Sequence, residues 1–149
     1  MSDALSRRRL ARAAARLNAA HRAALPPLVL MTDDERLADP VRAARALPRG
    51  SLVIVRSRDA ARRAEIAQAL QRLPLFVLIA DDPLSAAKLG ADGLHLPERR
   101  AREAAHWRAR YPRWIISAAR AANPYLDFVL LNSQANEGLK ASFYFNSCT

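Results

Sequence analysis

Four side chains that could act on a charged ligand stand at or near the ends of apolar runs in this sequence. They are Arg56 and Arg58 after one run, Asp81 after the next, and Ser117 at the end of a later one. A carboxylate supplies the oxygen ligands that hard cations such as Mg²⁺ prefer. A guanidinium can hold a phosphate through two parallel hydrogen bonds. These residue types suit a phosphorylated ligand only if the fold gathers them in one place.

Each of these positions also has an ordinary structural explanation. Asp81 and Asp82 precede a proline, and aspartate before proline often caps a helix, which is the interpretation that we prefer for Asp82. Arg56 and Arg58 are equally explained as solvated residues of an arginine-rich chain. Ser117 is equally explained by a plain turn at the end of a strand.

Strand-like and helix-like segments alternate along the chain, and they must position these side chains. Apolar runs begin near residues 28, 52, 75, 94 and 114, with helical patterns between them, and residues 128 to 131 are a candidate sixth run. Strands that are apolar throughout must be covered on both faces. Parallel strands joined by right-handed helical crossovers meet that need. The pattern therefore predicts an α/β protein, either a barrel or an open doubly wound sheet.

The residues after the first run favour the barrel. Thr32-Asp33-Asp34-Glu35 stands where a dinucleotide-binding sheet would have a glycine-rich phosphate loop. We therefore prefer a barrel, with five to six parallel strands within residues 1 to 131, to a dinucleotide-binding sheet. An amphipathic helix within residues 1 to 25 precedes the first strand, and residues 132 to 149 are expected to form an irregular tail.

Charge and hydropathy limit the classes of function. The net charge of +10 comes mainly from arginine, which is scattered among alanines over residues 1 to 120. Nucleic-acid-binding proteins usually combine clustered charge with a known reading element or interleaved aromatic residues, so we expect no nucleic-acid partner. No apolar run approaches the roughly 20 residues that cross a bilayer, and we expect a cytoplasmic protein without a membrane partner.

The histidines and the single cysteine do not indicate a metal or disulfide site. His95 lies among apolar neighbours, which favours a core histidine, and His21 and His106 lie in helical segments without a partner at metal-ligand spacing. Cys148 is the only cysteine, so no internal disulfide can form.

One long stretch resembles thiamine-phosphate synthases. The stretch spans residues 76 to 98 and reads FVLIADDPLSAAKLGADGLHLPE. It is similar to a segment of that family in which a strand ends in Asn-Asp-Arg and is followed by a short helix. In the family, this helix leads to Gly-Ala-Asp-Gly-Val-His-Leu-Gly-Gln. Residues 28 to 33, 53 to 59 and 115 to 118 are similar to its first, second and fifth strands, in the same order. The resemblance covers about residues 26 to 118 and extends to the TenI-like thiazole tautomerases.

The resemblance implies a partial (β/α)8 TIM barrel over residues 1 to 131, with its active site at the carboxyl ends of the strands. It also implies a transferase of thiamine biosynthesis, which joins a pyrimidine pyrophosphate to a thiazole phosphate and releases pyrophosphate with the help of Mg²⁺. By the same resemblance Asp81 falls on the family's magnesium ligand, and Arg56, Arg58 and Ser117 fall on positions that bind the pyrophosphate. The implied partners are phosphorylated small molecules.

Several positions depart from the family pattern. Ile54 replaces a Gln, Ala80 an Asn, and Pro97-Glu98 a Gly-Gln pair, while Arg100 stands in place of a second metal-binding Asp. These departures weaken pyrimidine recognition and magnesium binding. Glu98 could supply an oxygen ligand, or it could simply favour the first turn of a helix.

The composition changes near residue 121. No arginine follows Arg120, and four of the five asparagines lie beyond it. Only about 13 residues separate the fifth and sixth runs, which is short for a helix with two loops. Our hypothesis is that the reading frame departs from the ancestral sequence near residues 119 to 125.

A full barrel has eight strands and builds its phosphate site after strands seven and eight. We expect a truncated barrel with an exposed edge, which could form a homodimer and would turn over slowly. A TenI-like tautomerase and an inactive half-barrel remnant remain as alternatives, and a basic polyanion-binding protein is less favoured.

Overall fold

The computed structural model describes residues 26–119 and 124–130, together with seven residues near the N-terminus. Those seven are helical, as predicted for this stretch, and they are Leu5, Arg8, Arg9, Arg12, Ala13, Ala15 and Arg16. The rest of the predicted amphipathic helix and the predicted tail, residues 132 to 149, lie outside the described residues.

The protein is α/β, and its parallel strands curl into a half-barrel and alternate with helices, which confirms the predicted fold class. One sheet contains six strands in the order in which they occur along the chain, and every neighbouring pair is parallel. The strands are β1 (Val29–Met31), β2 (Leu52–Val55), β3 (Phe76–Ala80), β4 (Gly93–Leu96), β5 (Ile115–Ala119) and β6 (Phe128–Leu130).

Helical segments connect the first five strands. They are α1 (Pro40–Arg45), α2 (Ala60–Leu70), α3 (Pro83–Lys88), and a 3-10 helix (Glu98–Glu103) that continues into α4 (Ala104–Arg110). The connection between β4 and β5 therefore has two helical segments, and its first six helical residues are wound more tightly, as is frequent where helices begin. No helix within the described residues has the length and apolar character needed to cross a lipid bilayer.

Aspartate side chains cap three of these helices. Asp39 accepts a hydrogen bond from the amide of Arg42, and Asp59 accepts from the amides of Ala61 and Arg62. Asp82 accepts from the amide of Ser85, which confirms the capping assignment. Because each cap satisfies amides that have no partner within the helix, the helices begin at fixed positions just beyond the strand ends.

Both faces of the sheet are buried, which explains why the strands are apolar throughout. All four residues of β2 are fully buried. One face packs on the helices, where Val53, Val55, Val77 and Ile79 of the strands share a buried cluster with Ile66 and Leu70 of α2. The other face carries a smaller buried group, formed by Val29, Leu52, Ile54 and Leu78. This second face corresponds to the interior of a barrel.

The Gly-Ala-Asp-Gly segment that leads into β4 ends in two residues, Asp92 and Gly93, that the fold requires. A Cβ atom on Gly93 would lie 1.9 Å from the backbone oxygen of Ile115, so no other residue fits there without moving β5. Asp92 accepts a hydrogen bond of 2.7 Å from the amide of Val77 and thereby fixes the start of β4 against β3. Part of the motif that carries the family resemblance therefore has a structural role at the edge of the sheet where the strands begin.

Asp127 performs the same task before β6. Its carboxylate accepts a hydrogen bond of 2.6 Å from the amide of Ile116, the second residue of β5, just as Asp92 does with the second residue of β3. Arg108 also donates to this carboxylate at 2.6 Å. The predicted sixth strand is thus confirmed as a parallel neighbour of β5, although only residues 120 to 127 connect them.

Candidate functional site

A cavity of about 570 Å³ opens where β1, β2 and β3 end. Ligands of parallel α/β sheets and barrels bind at this edge, because the loops that follow the strands converge there. Among the residues that the structure describes, five acidic and four basic residues line it: Asp33, Asp34, Glu35, Asp81 and Asp82, and Arg36, Arg56, Arg58 and Arg63.

Three of the four residues singled out from the sequence lie together in this cavity. Arg56, Arg58 and Asp81 all line it. Ser117 does not, because it is fully buried and its hydroxyl lies 2.9 Å from Nδ1 of His95. His95 is itself 6% exposed, as predicted for a core histidine. Ser117 is therefore part of the buried interior and not of the cavity lining.

Thr32 holds the ends of β1 and β2 together and fixes the backbone of Arg56. The Thr32 hydroxyl accepts a hydrogen bond of 2.8 Å from the amide of Arg56 and donates one of 3.2 Å to its carbonyl oxygen. Thr32 is only 2% exposed. The guanidinium of Arg56 contacts the sulfur of Met31 at 3.4 Å, which is a weak acceptor. Arg56 is therefore anchored by its backbone while its charge is left for a ligand.

A tight turn after β1 presents Arg36. The carboxylate of Asp33 accepts hydrogen bonds of 3.0 Å from the amides of Glu35 and Arg36. These backbone bonds lower the pKa of Asp33, and the charges of Arg56 and Arg36 lower it further. Because its own oxygen is bound to the turn, Asp33 supports the position of Arg36 without forming a salt bridge to it.

Asp34 and Asp82 are paired with arginines of α2. Asp34 accepts from the hydroxyl of Ser57 at 2.9 Å and from Arg62 at 3.2 Å, and the Ser57 bond is the main reason that the pKa of Asp34 is lowered. Asp82 accepts from Arg63 at 2.8 Å and from the hydroxyl of Ser85 at 2.7 Å.

Burial would raise the pKa of Asp82, but its contacts outweigh that effect. The hydrogen bonds from Ser85 and the charge of Arg63 together lower the pKa. Asp82 is therefore a charged and occupied cap, and it offers little negative charge to the cavity.

Three guanidinium groups that line the cavity form no salt bridge with any described residue: those of Arg36, Arg56 and Arg58. All three are exposed. Most of the lining carboxylates are bound elsewhere, and Glu35 is the exception among the described residues. The positive charge that the cavity offers a ligand is therefore local to these three side chains, and guanidinium groups are the side chains that best match phosphate oxygens.

Asp81 is enclosed by arginines that follow β4. Its backbone adopts a left-handed conformation with φ of 56°, and its amide donates to the carbonyl oxygen of His95 at 2.8 Å. Oδ1 accepts from Nη1 of Arg100 and Oδ2 accepts from Nη2 of Arg99, both at 2.6 Å. Nη1 of Arg100 also donates to the Asp81 carbonyl oxygen at 3.0 Å.

Arg100 is held from its other side by Glu103. Nε and Nη2 of Arg100 donate to the two oxygens of that carboxylate, each at 2.8 Å, and the indole of Trp107 donates to it at 3.2 Å. The hydrogen bonds from Arg100 are the main reason that the pKa of Glu103 is lowered to about 2. The same hydrogen bonds are the main reason that the pKa of Arg100 is raised. All polar atoms of this guanidinium are therefore engaged.

This arrangement does not fit the magnesium ion that the resemblance implies for Asp81. Both of its carboxylate oxygens already accept from guanidinium groups. Among the residues that the structure describes, no group of three or more histidine, cysteine, aspartate or glutamate residues could hold a metal ion. Glu98, the candidate additional ligand, is exposed. Magnesium binding therefore stays a prediction from the resemblance alone.

No family model, curated protein or solved structure shows a significant match to this chain. The relationship to thiamine-phosphate synthases thus stays a prediction that rests on the residues quoted above.

The sequence pattern did not single out Asp33, Arg36, Arg63 or Arg99 as site residues. A usable signal was present for the first two, because they follow the first apolar run and the carboxyl ends of parallel strands meet at one edge. No comparable signal pointed to Arg63 or Arg99, which reach the site from helical segments.

Proposed function

We propose that this chain is a half-barrel of the thiamine-phosphate synthase type that binds a phosphorylated small molecule in the cavity at the strand ends. One observation carries the proposal: the guanidinium groups of Arg36, Arg56 and Arg58 line one cavity and form no salt bridge with any residue in the described part of the chain. The resemblance points to a phosphorylated pyrimidine or thiazole as the ligand, and to thiamine biosynthesis as the context.

The backbone contacts support phosphate binding because they fix, before a ligand arrives, the main chain from which each arginine extends. Thr32 holds Arg56, the Asp33 turn holds Arg36, and the carboxylate of Asp34 accepts from the amide of Arg58 at 3.4 Å. A site that is ordered in advance loses less conformational entropy on binding. Three guanidinium groups on such supports suit a diphosphate, which has more oxygens than one arginine can pair with.

Transfer chemistry would need strong neutralisation of the departing pyrophosphate. The arginines can supply part of that charge, but the arrangement around Asp81 does not fit the metal. We therefore expect slow or no formation of thiamine phosphate, and we propose binding as the main activity. Phosphorylated metabolites of this kind and a single cysteine also suit the cytoplasm.

Calorimetric titration with pyrophosphate and with the pyrimidine pyrophosphate tests the proposal. Arg58→Ala should weaken binding about tenfold to a hundredfold, because a charge-assisted hydrogen bond contributes about 1.5 to 3 kcal/mol. Arg72→Ala is the matched control, since Arg72 is an exposed arginine after α2 that does not line the cavity. It should change the affinity by less than about twofold.

Two results would count against the proposal. Equal losses in Arg58→Ala and Arg72→Ala, with a steep dependence on salt, would indicate a basic polyanion-binding protein. Pyrophosphate release at an ordinary synthase rate would show that catalysis, and not binding alone, is the function.

A further inference from the structure

Asp81 directs three oxygen atoms at two guanidinium groups. Its carbonyl oxygen and Oδ1 both accept from the same nitrogen, Nη1 of Arg100, at 3.0 and 2.6 Å, and Oδ2 accepts from Arg99 at 2.6 Å. Two oxygens of Asp81 thus converge on a single nitrogen of the positively charged guanidinium of Arg100. Carboxylate and carbonyl oxygens that converge in this way are the ligands that hard cations take in proteins.

Arg100 is fixed in that position and could not easily make way for a metal ion. It donates four hydrogen bonds, two to Asp81 and two to Glu103. Its side chain is 27% exposed, compared with 69% for Arg99. A metal ion at Asp81 would have to displace this network, and until then it would face the charge of two arginines at close range.

We infer that Arg99 and Arg100 occupy the place of a divalent cation at Asp81, so that the positive charge at this edge of the cavity comes from the protein itself. Asp81 then orients the two arginines and does not bind a metal. The consequence for ligand binding, which rests on the proposed function, is that phosphate binding in the cavity is independent of Mg²⁺. The statement about the cation does not depend on the proposed function.

Manganese titration of the full chain, followed by electron paramagnetic resonance, tests the cation statement directly. The natural protein should leave Mn²⁺ free at concentrations up to about 1 mM, a range in which weak metal sites would fill. Arg99→Ala/Arg100→Ala should gain one bound Mn²⁺, and adding Asp81→Asn should remove it again. Asparagine is a suitable replacement because it tolerates the left-handed backbone that Asp81 adopts.

Two outcomes would overturn the inference. The first is Mn²⁺ bound by the natural protein and lost in Asp81→Asn. The second is a double variant that stays folded by circular dichroism but binds no Mn²⁺, because its oxygens would then not form a cation site.

A second measurement addresses the ligand. The affinity for pyrophosphate should differ by less than about threefold between EDTA and excess Mg²⁺. A gain of tenfold or more with Mg²⁺ that disappears in Asp81→Asn would refute independence from the metal. Absence of binding under both conditions would refute the proposed function instead, while the Mn²⁺ titration would still decide the cation statement.

Discussion

His95 and Ser117 face each other across two neighbouring strands, with Nδ1 of the histidine 2.9 Å from the serine hydroxyl. The two residues are register partners in β4 and β5, and both are buried. A polar pair in this position contributes to stability because neither group can exchange the bond for one to bulk water.

Ser117→Ala should therefore destabilise the protein and leave ligand binding unchanged. We expect the free energy of unfolding to fall by about 1 to 2 kcal/mol, the usual cost of removing one partner of a buried hydrogen bond. Urea denaturation measures that loss, and calorimetric titration with pyrophosphate should give an affinity within about twofold of the natural protein. Normal stability with a large loss of affinity would instead support the ligand contact that the family resemblance implies.

Gly93→Ala should be one of the most damaging single substitutions in the chain. The added Cβ atom would lie 1.9 Å from the backbone oxygen of Ile115, and β4 and β5 would have to separate. We expect a loss of about 3 kcal/mol or more in urea denaturation, at the upper end of overpacking effects. Gly90→Ala is the control, because its φ of +63° is strained for alanine but nothing lies within 4 Å; it should cost only about 1 to 2 kcal/mol. Similar losses in the two variants would contradict the close approach.

Glu103 should make the stability of the protein depend on pH in the acid range. The folded state lowers the pKa of Glu103 from 4.5 to about 2. The stability that its charged carboxylate contributes is therefore fully present above the pKa of the unfolded state. This stability is lost as the pH falls through the folded-state pKa of about 2. The difference in unfolding free energy between the natural protein and Glu103→Gln should be constant above about pH 5 and shrink steadily below it. Urea denaturation at several pH values measures it, and a difference that does not change between pH 5 and pH 3 would contradict the bond to Arg100.

Asp127→Ala tests whether β6 belongs to the sheet in solution. The variant loses the hydrogen bond to the amide of Ile116 and the contact with Arg108. We expect a loss of about 1 to 2 kcal/mol, at the lower end for a bond to a charged group because Asp127 is 44% exposed. Asp92→Ala, which removes the equivalent bond to Val77, should give a comparable loss. A loss in Asp92→Ala alone would mean that β6 is not paired as described.

The fold could be predicted because its signals are local. Asp82 before Pro83 caps and starts a helix through contacts within four residues, and the apolar runs mark strands that are buried on both faces. The gathering of Arg56, Arg58 and Asp81 at one edge then follows from parallel strands, whichever α/β architecture the chain adopts.

The partners of these residues could not be predicted in the same way. Arg99 and Arg100 are 18 and 19 residues away from Asp81, and their contact depends on how the 3-10 helix leaves β4. The position of Ser117 depends on the pleat of β5, where a shift of one residue moves every side chain to the other face. Such features are set by tertiary geometry, and the spacing of residue types does not contain them.

The order of the strands in the sheet has a consequence for biosynthesis. Within the described sheet, each strand from β2 to β5 pairs with the strands just before and just after it in the chain. As the chain leaves the ribosome, every newly made strand can therefore dock on an edge that already exists, and no strand has to wait for a distant partner. The edge of each of these strands is therefore open to pairing with another nascent chain only until the next strand docks on it.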